Sequence, residues 1–549
     1  MEKQLKSPIT ILHGYRLDGS GSCIYCRNVA RNLSEMGLDV ILVCQELRPE
    51  RYDFISEAYV FSADGKPEQV LKRPPQSKGR VISFRPYLTK GLLPVYVDVK
   101  FPQSKKVKPF YRLTDDEIND YVDNHVVALK KIGQQFPLNV IYANHIVMMP
   151  YIAYLASKEI RQLLYFLIPH GSEIEYLIKK DKRFLSIAEE SLAHAAGIIS
   201  GSEEMTHRIA ALFKNSKRFL SKVYQIPIGV DVEYFSSSQK SSVMERVESL
   251  RKEVRLQIQT STTSVDSADP RFLNILEQID FAHSKTIVNF GRLIPEKGVQ
   301  DLIVIAPVLC KEISRLRIII AGNGPYKEFF QKLVELLQAG NERQFHKEIE
   351  RVDRETSSTA GSLFRFVREF LRSESGSGYF SFSSSFEWSK NVVFVGYLKH
   401  PALRYLLSLS DLAVFPSIVK EAYPLALLEA MAAGAFPVVS DFGGLHDGLK
   451  VLGELFSGEM KKLMRVTMDE TQRIKEMRDH ILQGLNKYSP QERAKMVQHI
   501  QANCSWKRIC GLLLKVFEGG VNRHQASHSL SNRLFNASTR PITEEGERP

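Results

Sequence analysis

The sequence predicts an α/β protein made of two domains, each a parallel sheet covered by helices, and three observations carry that prediction. The chain has 549 residues, more than the length at which one hydrophobic core stops growing. Short apolar runs alternate with helical segments in each half, which is the pattern of a parallel sheet joined by crossover helices. A serine-rich polar stretch near residues 236–284 separates the two alternations. With 44% hydrophobic and 25% charged residues, the composition is that of a folded globular protein rather than a disordered one.

In the first half, "SPITILH" reads as a strand and "RLDGSGS" as a loop. "CIYCRNVARNLSEMG" is a helix stopped by Gly37, and "LDVILVC" is a second strand, which completes a β-α-β unit. The strands "NVIYANH", "LLYFLIPHG" and "GIISGS" follow, with helices "FLSIAEESLAHAA" and "SEEMTHRIAALF" among them. Residues 1–232 form this first Rossmann-like domain, and residues 233–283 are expected to be a polar linker or insertion with one helix inside it. The second domain, residues 284–489, runs through "KTIVNFG", "LRIIIAGNGP", "NVVFVGYL", "DLAVFPS" and "AFPVVSD" with helices between. Residues 340–390, charged and then serine-rich, are expected to be a surface excursion. A closing helix over 490–518 and a disordered tail over 519–549 complete the reading.

The totals limit the function. A formal net charge of +12 points to a polyanionic neighbour: nucleic acid, an anionic membrane surface or a phosphorylated substrate. No nucleic-acid-binding module accompanies the charge. The opening "MEKQLKSPITILHGYRLDGSG" reads as a first strand rather than a signal peptide, so the N-terminus is expected to be retained. The most apolar long stretch, residues 140–156, is broken by Asn144, His145 and Pro150 and predicts no membrane-spanning helix. Six cysteines with one close pair, Cys23 and Cys26, make no disulfide framework and suit a reducing cytosol. The pair itself reads as core thiols on the first helix rather than as half a zinc site. The basic aromatic stretch "VKFPQSKKVKPFYR", residues 99–112, has two readings, a solvated loop or a docking patch for an anionic bilayer or acidic glycan.

Ligands of parallel sheets collect at the carboxyl ends of strands, where helix N-termini favour anions. Arg292 and Lys297 follow "KTIVNFG" there, "GNGP" follows "LRIIIAG", and "KEAYPLALLEA" follows "DLAVFPS". In the last stretch Pro424 suits the first position of a helix, which leaves the N–H groups of Leu425 and Ala426 free for an anion. Glu421 in the turn and Glu429 in the helix are placed to accept bonds from two sets of hydroxyls, the second of them a ribose. Two polyol readers around a phosphate cradle describe a nucleotide sugar.

"GRLIPEKG", "AGNGP", "NVVFVGYL" and "EAYPLALLEAMAAG", supported more weakly by "PHGSEIEYL" and "IPIGVDVEYF", resemble the retaining glycosyltransferases of family 4, also called glycosyl transferase group 1. That resemblance implies the GT-B fold, two Rossmann-like domains with parallel sheets facing a central cleft. It also implies transfer of a hexosyl unit from a UDP- or GDP-sugar to a glycan, lipid-linked or small-molecule acceptor, with retention and with neither metal nor cofactor. By the same resemblance Arg292 and Lys297 bind the diphosphate, Glu421 reads the transferred sugar, and Glu429 reads the ribose. His170 lies beside the reacting carbon, Gly21 near the phosphate, and Gly322, Gly324, Tyr423, Leu425 and Ala426 line the donor pocket. The family carries glycine where this chain has Pro424, and the region after "GGLHDGL" lacks the family's glycine-rich continuation. A cytoplasmic enzyme, peripheral to a membrane if the basic stretch docks there, follows from this reading. Two rivals stand beside it. One is a nicotinamide-dependent oxidoreductase, prompted by the first β-α-β unit, its incomplete glycine fingerprint and Glu46. The other is a non-catalytic glycan- or membrane-binding scaffold of the same fold.

Overall fold

The structure, a computed structural model, describes residues 8–19, 21–96, 106–261, 267–356, 361–374, 378–423 and 425–538, the last of these by backbone alone beyond residue 524. The chain divides into two units. Unit one comprises Met1–Gly201, Met205–Ile226 and Trp506–Pro549; unit two comprises Ser202–Glu204 and Pro227–Ser505.

Unit one is built on nine strands: β1 (Ile9–Leu12), β2 (Val40–Val43), β3 (Glu57–Phe61), β4 (Pro67–Lys72), β5 (Val81–Arg85), β8 (Val140–Asn144), β9 (Leu164–Ile168), β10 (Gly197–Ser200) and β11 (Val223–Gln225). They pair in the order β11-β10-β9-β8-β1-β2-β5-β3-β4, parallel throughout except for the β3–β4 hairpin. A separate parallel pair, β6 (Leu93–Val95) with β7 (Val107–Pro109), stands apart from the sheet. The central strands are apolar and buried along their whole length, as a sheet covered on both faces requires. The strand order reverses between β1 and β8, so the crevice for a ligand lies outside the carboxyl ends of those two strands. Cys23 and Cys26 are both buried on the first helix, Gly21–Glu35.

Unit two has six parallel strands: β12 (Lys285–Phe290), β13 (Leu316–Ala321), β14 (Val392–Gly396), β15 (Leu412–Phe415), β16 (Phe436–Ser440) and β17 (Arg465–Val466). Their order, β14-β13-β12-β15-β16-β17, reverses between β12 and β15. Phe290 lies opposite Ala321, so the loops that leave β12 and β13 depart side by side. The two parallel sheets that the sequence predicts are therefore present.

Three expectations change. Residues 233–283 are part of unit two: the helix Val243–Thr260 buries Leu250 and Val254, and the helix Arg271–Gln278 buries Phe272 and Leu276. The serine that suggested a linker is a cap. Ser242 Oγ accepts from the Glu245 N–H at 3.2 Å while Glu245 Oε2 accepts from the Ser242 N–H at 2.7 Å, a reciprocal capping box. Residues 340–390 are likewise no excursion. The helix Glu342–Thr356 turns Phe345, Ile349 and Val352 inward at helical spacing, and Trp388 is fully buried with its indole N–H donated to the Ser383 carbonyl at 2.8 Å. The expected closing helix is two. One, Pro490–Cys504, buries Met496 and Ile500 in unit two. The second starts at Trp506 and runs to Ser538, past residue 518, where a tail was expected to begin. Ser505 between them is extended, with ψ 143°. The ring of Trp506 meets Tyr25 at 5.4 Å, and Phe517 meets Phe166 at 4.8 Å, so this helix is packed by aromatic side chains in unit one.

Phe345→Ala distinguishes core from excursion. Truncating a fully buried phenylalanine is expected to lower stability by about 3 kcal/mol in urea unfolding, whereas a loss below about 0.5 kcal/mol would return the segment to the surface.

Candidate active site

The strand-order reversal of unit two brings the loops after β12 and β15 together, and the backbone closes them onto each other. The Ile418 N–H donates to the Glu296 carbonyl at 2.9 Å, and Ser417 Oγ donates to the same carbonyl at 3.1 Å. Gly298, at φ +71°, packs so tightly that a Cβ there would stand 1.8 Å from the Pro416 carbonyl oxygen, so only glycine permits this approach. As a result Lys297 Nζ donates to Glu421 Oε2 at 2.6 Å, across 124 residues of sequence. The lysine is about a third exposed and the glutamate less, at 34% and 16%. Both charges thus face a solvated rim. Arg292 is exposed on the same loop as Lys297; its carbonyl accepts from the Ile294 N–H at 3.1 Å, and its guanidinium has no hydrogen bond or ion pair with a described residue.

The other expected donor residues divide. The helix Leu425–Ala432 begins where the sequence predicts, so the N–H groups of Leu425 and Ala426 fall in its first turn, where no intrahelical acceptor exists. Pro424 lies outside the described residues. Glu429 is almost wholly buried on that helix, and its Oε1 lies 3.1 Å from His400 Nε2. Tyr423 turns inward: its hydroxyl is buried near Cys504 and Asp447, and burial raises it well above the usual phenol range. Its ring is half-buried against the core of unit two. Gly322 and Gly324 are closely packed. Cβ atoms there would meet the Gly291 carbonyl oxygen at 1.9 Å and the Leu293 carbonyl oxygen at 2.4 Å. Their close approach is to the neighbouring loop, and the residues before them bond to it: Gly291 N–H donates to the Ala321 carbonyl and Leu293 N–H to the Asn323 carbonyl, both at 3.0 Å.

Further contacts fix the loop that carries Glu421. The Gly444 N–H donates to the Glu421 carbonyl at 2.8 Å. Ser202, within unit two, donates its hydroxyl to the Ala422 carbonyl at 2.6 Å, and Lys420 pairs with Glu204 at 3.1 Å. Beneath them Arg473, fully buried, donates to Asp301 Oδ2 at 2.8 Å, to the Pro416 carbonyl at 2.6 Å and to Ser440 Oγ at 3.0 Å.

Unit one collects histidines at its own reversal. His13 follows β1, Asn144 and His145 close and follow β8, and His170 follows β9. Asn144 donates its side-chain N–H to the Leu12 carbonyl at 3.0 Å, so its Oδ1 must face His170 Nε2, 2.9 Å away. That nitrogen therefore carries the proton, and Nδ1 of His170 is an acceptor. Burial, followed by the neighbouring His145 and His13, holds His170 well below the usual imidazole range, so it stays neutral. Burial also pushes Glu173 upward. His145 Nδ1 at 3.1 Å and the His170 backbone N–H at 2.9 Å more than offset this, and the carboxyl ends below its usual range. Glu173 is thus the brace of two histidines. His13 is pushed down to about 3 by burial and then by His145, and neither of its ring nitrogens finds a partner at hydrogen-bonding geometry. Gly21 opens the first helix and is exposed.

Sequence reasoning treated Asn144 and His145 only as interruptions of an apolar run. A polar pair that ends a buried strand was the signal to follow. Arg473 and His400 carried no local signal. Glu46, a candidate for reading a nicotinamide ribose, is occupied: it accepts from the N–H groups of Leu17, Leu47 and Arg48 at 3.0, 3.0 and 2.9 Å. Of the basic stretch 99–112, residues 99–105 lie outside the described residues. In the remainder Lys108 pairs with Glu117 at 2.7 Å and Phe110 is buried. Among the described residues no helix is long and apolar enough to cross a membrane.

Comparison with known proteins finds likeness both in sequence, over part of unit two, and in fold. Residues 275–359 and 379–453 match the family described as Glycosyl transferases group 1, a stretch that holds Arg292, Lys297, His400, Glu421 and Glu429. A curated relative, the uncharacterized glycosyltransferase YqgM of Bacillus subtilis, is 24% identical over 161 residues. The match spans 29% of this chain and 31% of that relative's length. Among solved structures, HepE of Anabaena in complex with UDP superposes with TM-score 0.51 at 13% identity, covering 93% of this chain and 100% of that one. The catalytic domain of starch synthase IV of Arabidopsis thaliana, bound to ADP and acarbose, superposes with TM-score 0.55 at 13% identity, covering 94% and 99%. A glycosyltransferase of Rickettsia africae gives 0.51 at 12% identity, covering 94% and 99%. The chain therefore has the α/β fold of GT-B glycosyltransferases, with two parallel-sheet domains.

Proposed function

We propose that this chain is a retaining glycosyltransferase that moves a hexosyl unit from a nucleoside diphosphate sugar to an acceptor hydroxyl. The observation that carries the reading is the Lys297–Glu421 pair, 2.6 Å apart at the strand-order reversal of unit two and next to the start of the helix Leu425–Ala432. A cation, a hydroxyl-accepting carboxylate and unbonded helix N–H groups are what a sugar diphosphate requires. Arg292 and Lys297 take the diphosphate, assisted by the N–H groups of Leu425 and Ala426. Glu421 accepts from hydroxyls of the sugar and Glu429 from those of the ribose. The family match over the stretch that holds these residues supports the assignment, as do UDP and ADP in structures of like fold.

In the proposed reaction the acceptor oxygen forms a bond to the anomeric carbon on the face the diphosphate leaves. The bond from that carbon to the phosphate oxygen breaks, and its electron pair goes to the diphosphate. The acceptor's proton passes to the departing phosphate oxygen. Fixed cations and oriented dipoles that meet this growing charge supply the largest share of such catalysis, and the same two cations are why we propose turnover without a divalent ion. His170, neutral and with Nδ1 as acceptor, suits a hydroxyl-orienting role on the sugar side. The nicotinamide rival is disfavoured by Glu46, whose oxygens are committed to backbone N–H groups.

Lys297→Ala is expected to lower turnover by roughly 10²–10³ while circular dichroism stays that of the parent. The assay is sugar release from UDP-, GDP- and ADP-sugars with chelator present. Near-parental turnover in the folded variant would remove Lys297 from the mechanism, and retention is checked by the anomeric configuration of the first product.

The histidines give a separate outcome. His13 and His125 are held down to about 3 and about 4, by burial in both cases, and His170 lies well below the ordinary value. Histidines of the unfolded chain titrate near ~6.5. Below that pH the unfolded chain binds more protons than the folded one, so stability falls as pH drops from about 6.5 toward 4. Each such histidine contributes up to about 1.4 kcal/mol per pH unit, and Glu173, whose carboxyl is lowered, acts in the same direction at the acid end of this range. Urea midpoints measured at about pH 7.5, 6 and 5 should decline in that order, and His13→Phe should flatten the decline; a flat parental series would contradict the neutral cluster.

A further inference from the structure

We propose that His400 sets the preference for ribose over deoxyribose in the donor nucleotide by holding Glu429 in one orientation; this rests on the reading of Glu429 as the ribose acceptor. His400 opens the helix His400–Leu409 directly after β14, and Glu429 lies on the helix after β15. Those strands flank β13 and β12, whose ends carry the glycine turn and the Arg292–Lys297 loop. The pair therefore joins the two helices that follow β14 and β15 in one sheet. His400 Nε2 stands 3.1 Å from Glu429 Oε1, and the imidazole is braced edge-on by Phe235, a buried ring 5.7 Å away. Glu429 has no other ion-pair or hydrogen-bond partner for its carboxylate among the described residues.

The chemistry follows from the count of oxygens. A nearly buried carboxylate with one oxygen set 3.1 Å from a ring nitrogen presents the other in a preferred direction. An acceptor fixed in that way bonds well only to a hydroxyl that arrives along one direction, and the 2′-hydroxyl of a ribose supplies such a group. A carboxylate free to rotate would bond to water or to either hydroxyl and would discriminate less. An analogue without the hydroxyl leaves a buried charged acceptor unpaired, which is the costly case.

Calorimetric titration of the full chain with UDP, GDP, ADP and the 2′-deoxy form of each measures this directly. For whichever nucleotide binds, the parent is expected to favour ribose about tenfold or more, the scale of one hydrogen bond to a charged group. His400→Leu should bring that ratio near unity, and His400→Gln, whose amide N–H can replace the ring donor, should keep most of it. If His400→Leu weakens the ribo and deoxy forms equally, His400 is only a structural brace and the proposal is wrong. If Glu429→Ala leaves the ratio unchanged, or no nucleotide binds the parent, the reading of Glu429 itself falls and the proposal with it. If the leucine variant does not fold, His400→Asn, too short to reach Glu429, takes its place with the same expected loss of ratio.

Discussion

The arrangement of unit two depends on one buried guanidinium. Arg473 is wholly inaccessible and spends its N–H groups on Asp301, the carbonyl that follows β15, the hydroxyl that ends β16 and the Thr467 carbonyl after β17. Phe366 lies against its face at 4.6 Å. Burial raises Asp301, the attraction of Arg473 opposes this, and the raised direction prevails. A buried pair of this kind adds little net stability, yet loss of one partner strands the other at a cost of about 3–5 kcal/mol. Its effect is therefore geometric. Three neighbouring strand ends and the start of the helix Val299–Glu312 are held to one planar group, so the loops that carry Lys297 and Glu421 have a common floor.

On that floor the loops are locked by backbone. Glu296 supplies a carbonyl to the loop after β15, Gly298 permits contact with Pro416, and Gly322 and Gly324 close the next loop onto Gly291 and Leu293. A side chain at any of these glycines would force neighbouring carbonyls apart. The separation of Lys297 from Glu421 would change with them. Preorganisation at the rim thus comes from the absence of side chains beneath it, and the charged groups need no rigidity of their own.

The two sheets, and the placement of Lys297 and Glu421 at strand ends, were legible in the sequence for a local reason. Each lies at or directly after an apolar run bounded by glycine or proline, so the carboxyl ends of the strands could be marked and the polar residues there counted. The helices within 340–390 were missed because composition was weighed above spacing: the charged and serine residues cover the outer faces of helices whose Phe345, Ile349 and Val352 recur at helical intervals. The linker reading failed in a related way, since serine favours both flexible segments and helix caps, and only Glu245 three residues on separates the two cases. Arg473 had no local signature because its partner Asp301 is 172 residues distant. Tyr423 and the "GNGP" glycines were located correctly in the chain but turned toward protein. Sequence shows where a loop lies; it does not show which way each side chain faces.

The two units handle polar groups in opposite ways, and the difference follows from the chemistry each group must do. A cation proposed to meet a diphosphate must stay charged, and Lys297 and Arg292 remain within reach of water. A histidine proposed to accept a hydrogen bond from a substrate hydroxyl must stay neutral, and burial favours this for His170. Its tautomer is set by a chain of two bonds: the Leu12 carbonyl orients Asn144, and Asn144 orients the imidazole. Glu173 does not complete a catalytic dyad with His170, because its oxygens meet the His170 backbone N–H and the His145 ring. It fixes where the imidazole stands and leaves the basicity of Nδ1 unassisted. A weakly basic, well-oriented acceptor suits the alignment of a substrate hydroxyl rather than full abstraction of its proton. That agrees with a reaction in which the departing diphosphate, not the protein, takes the proton.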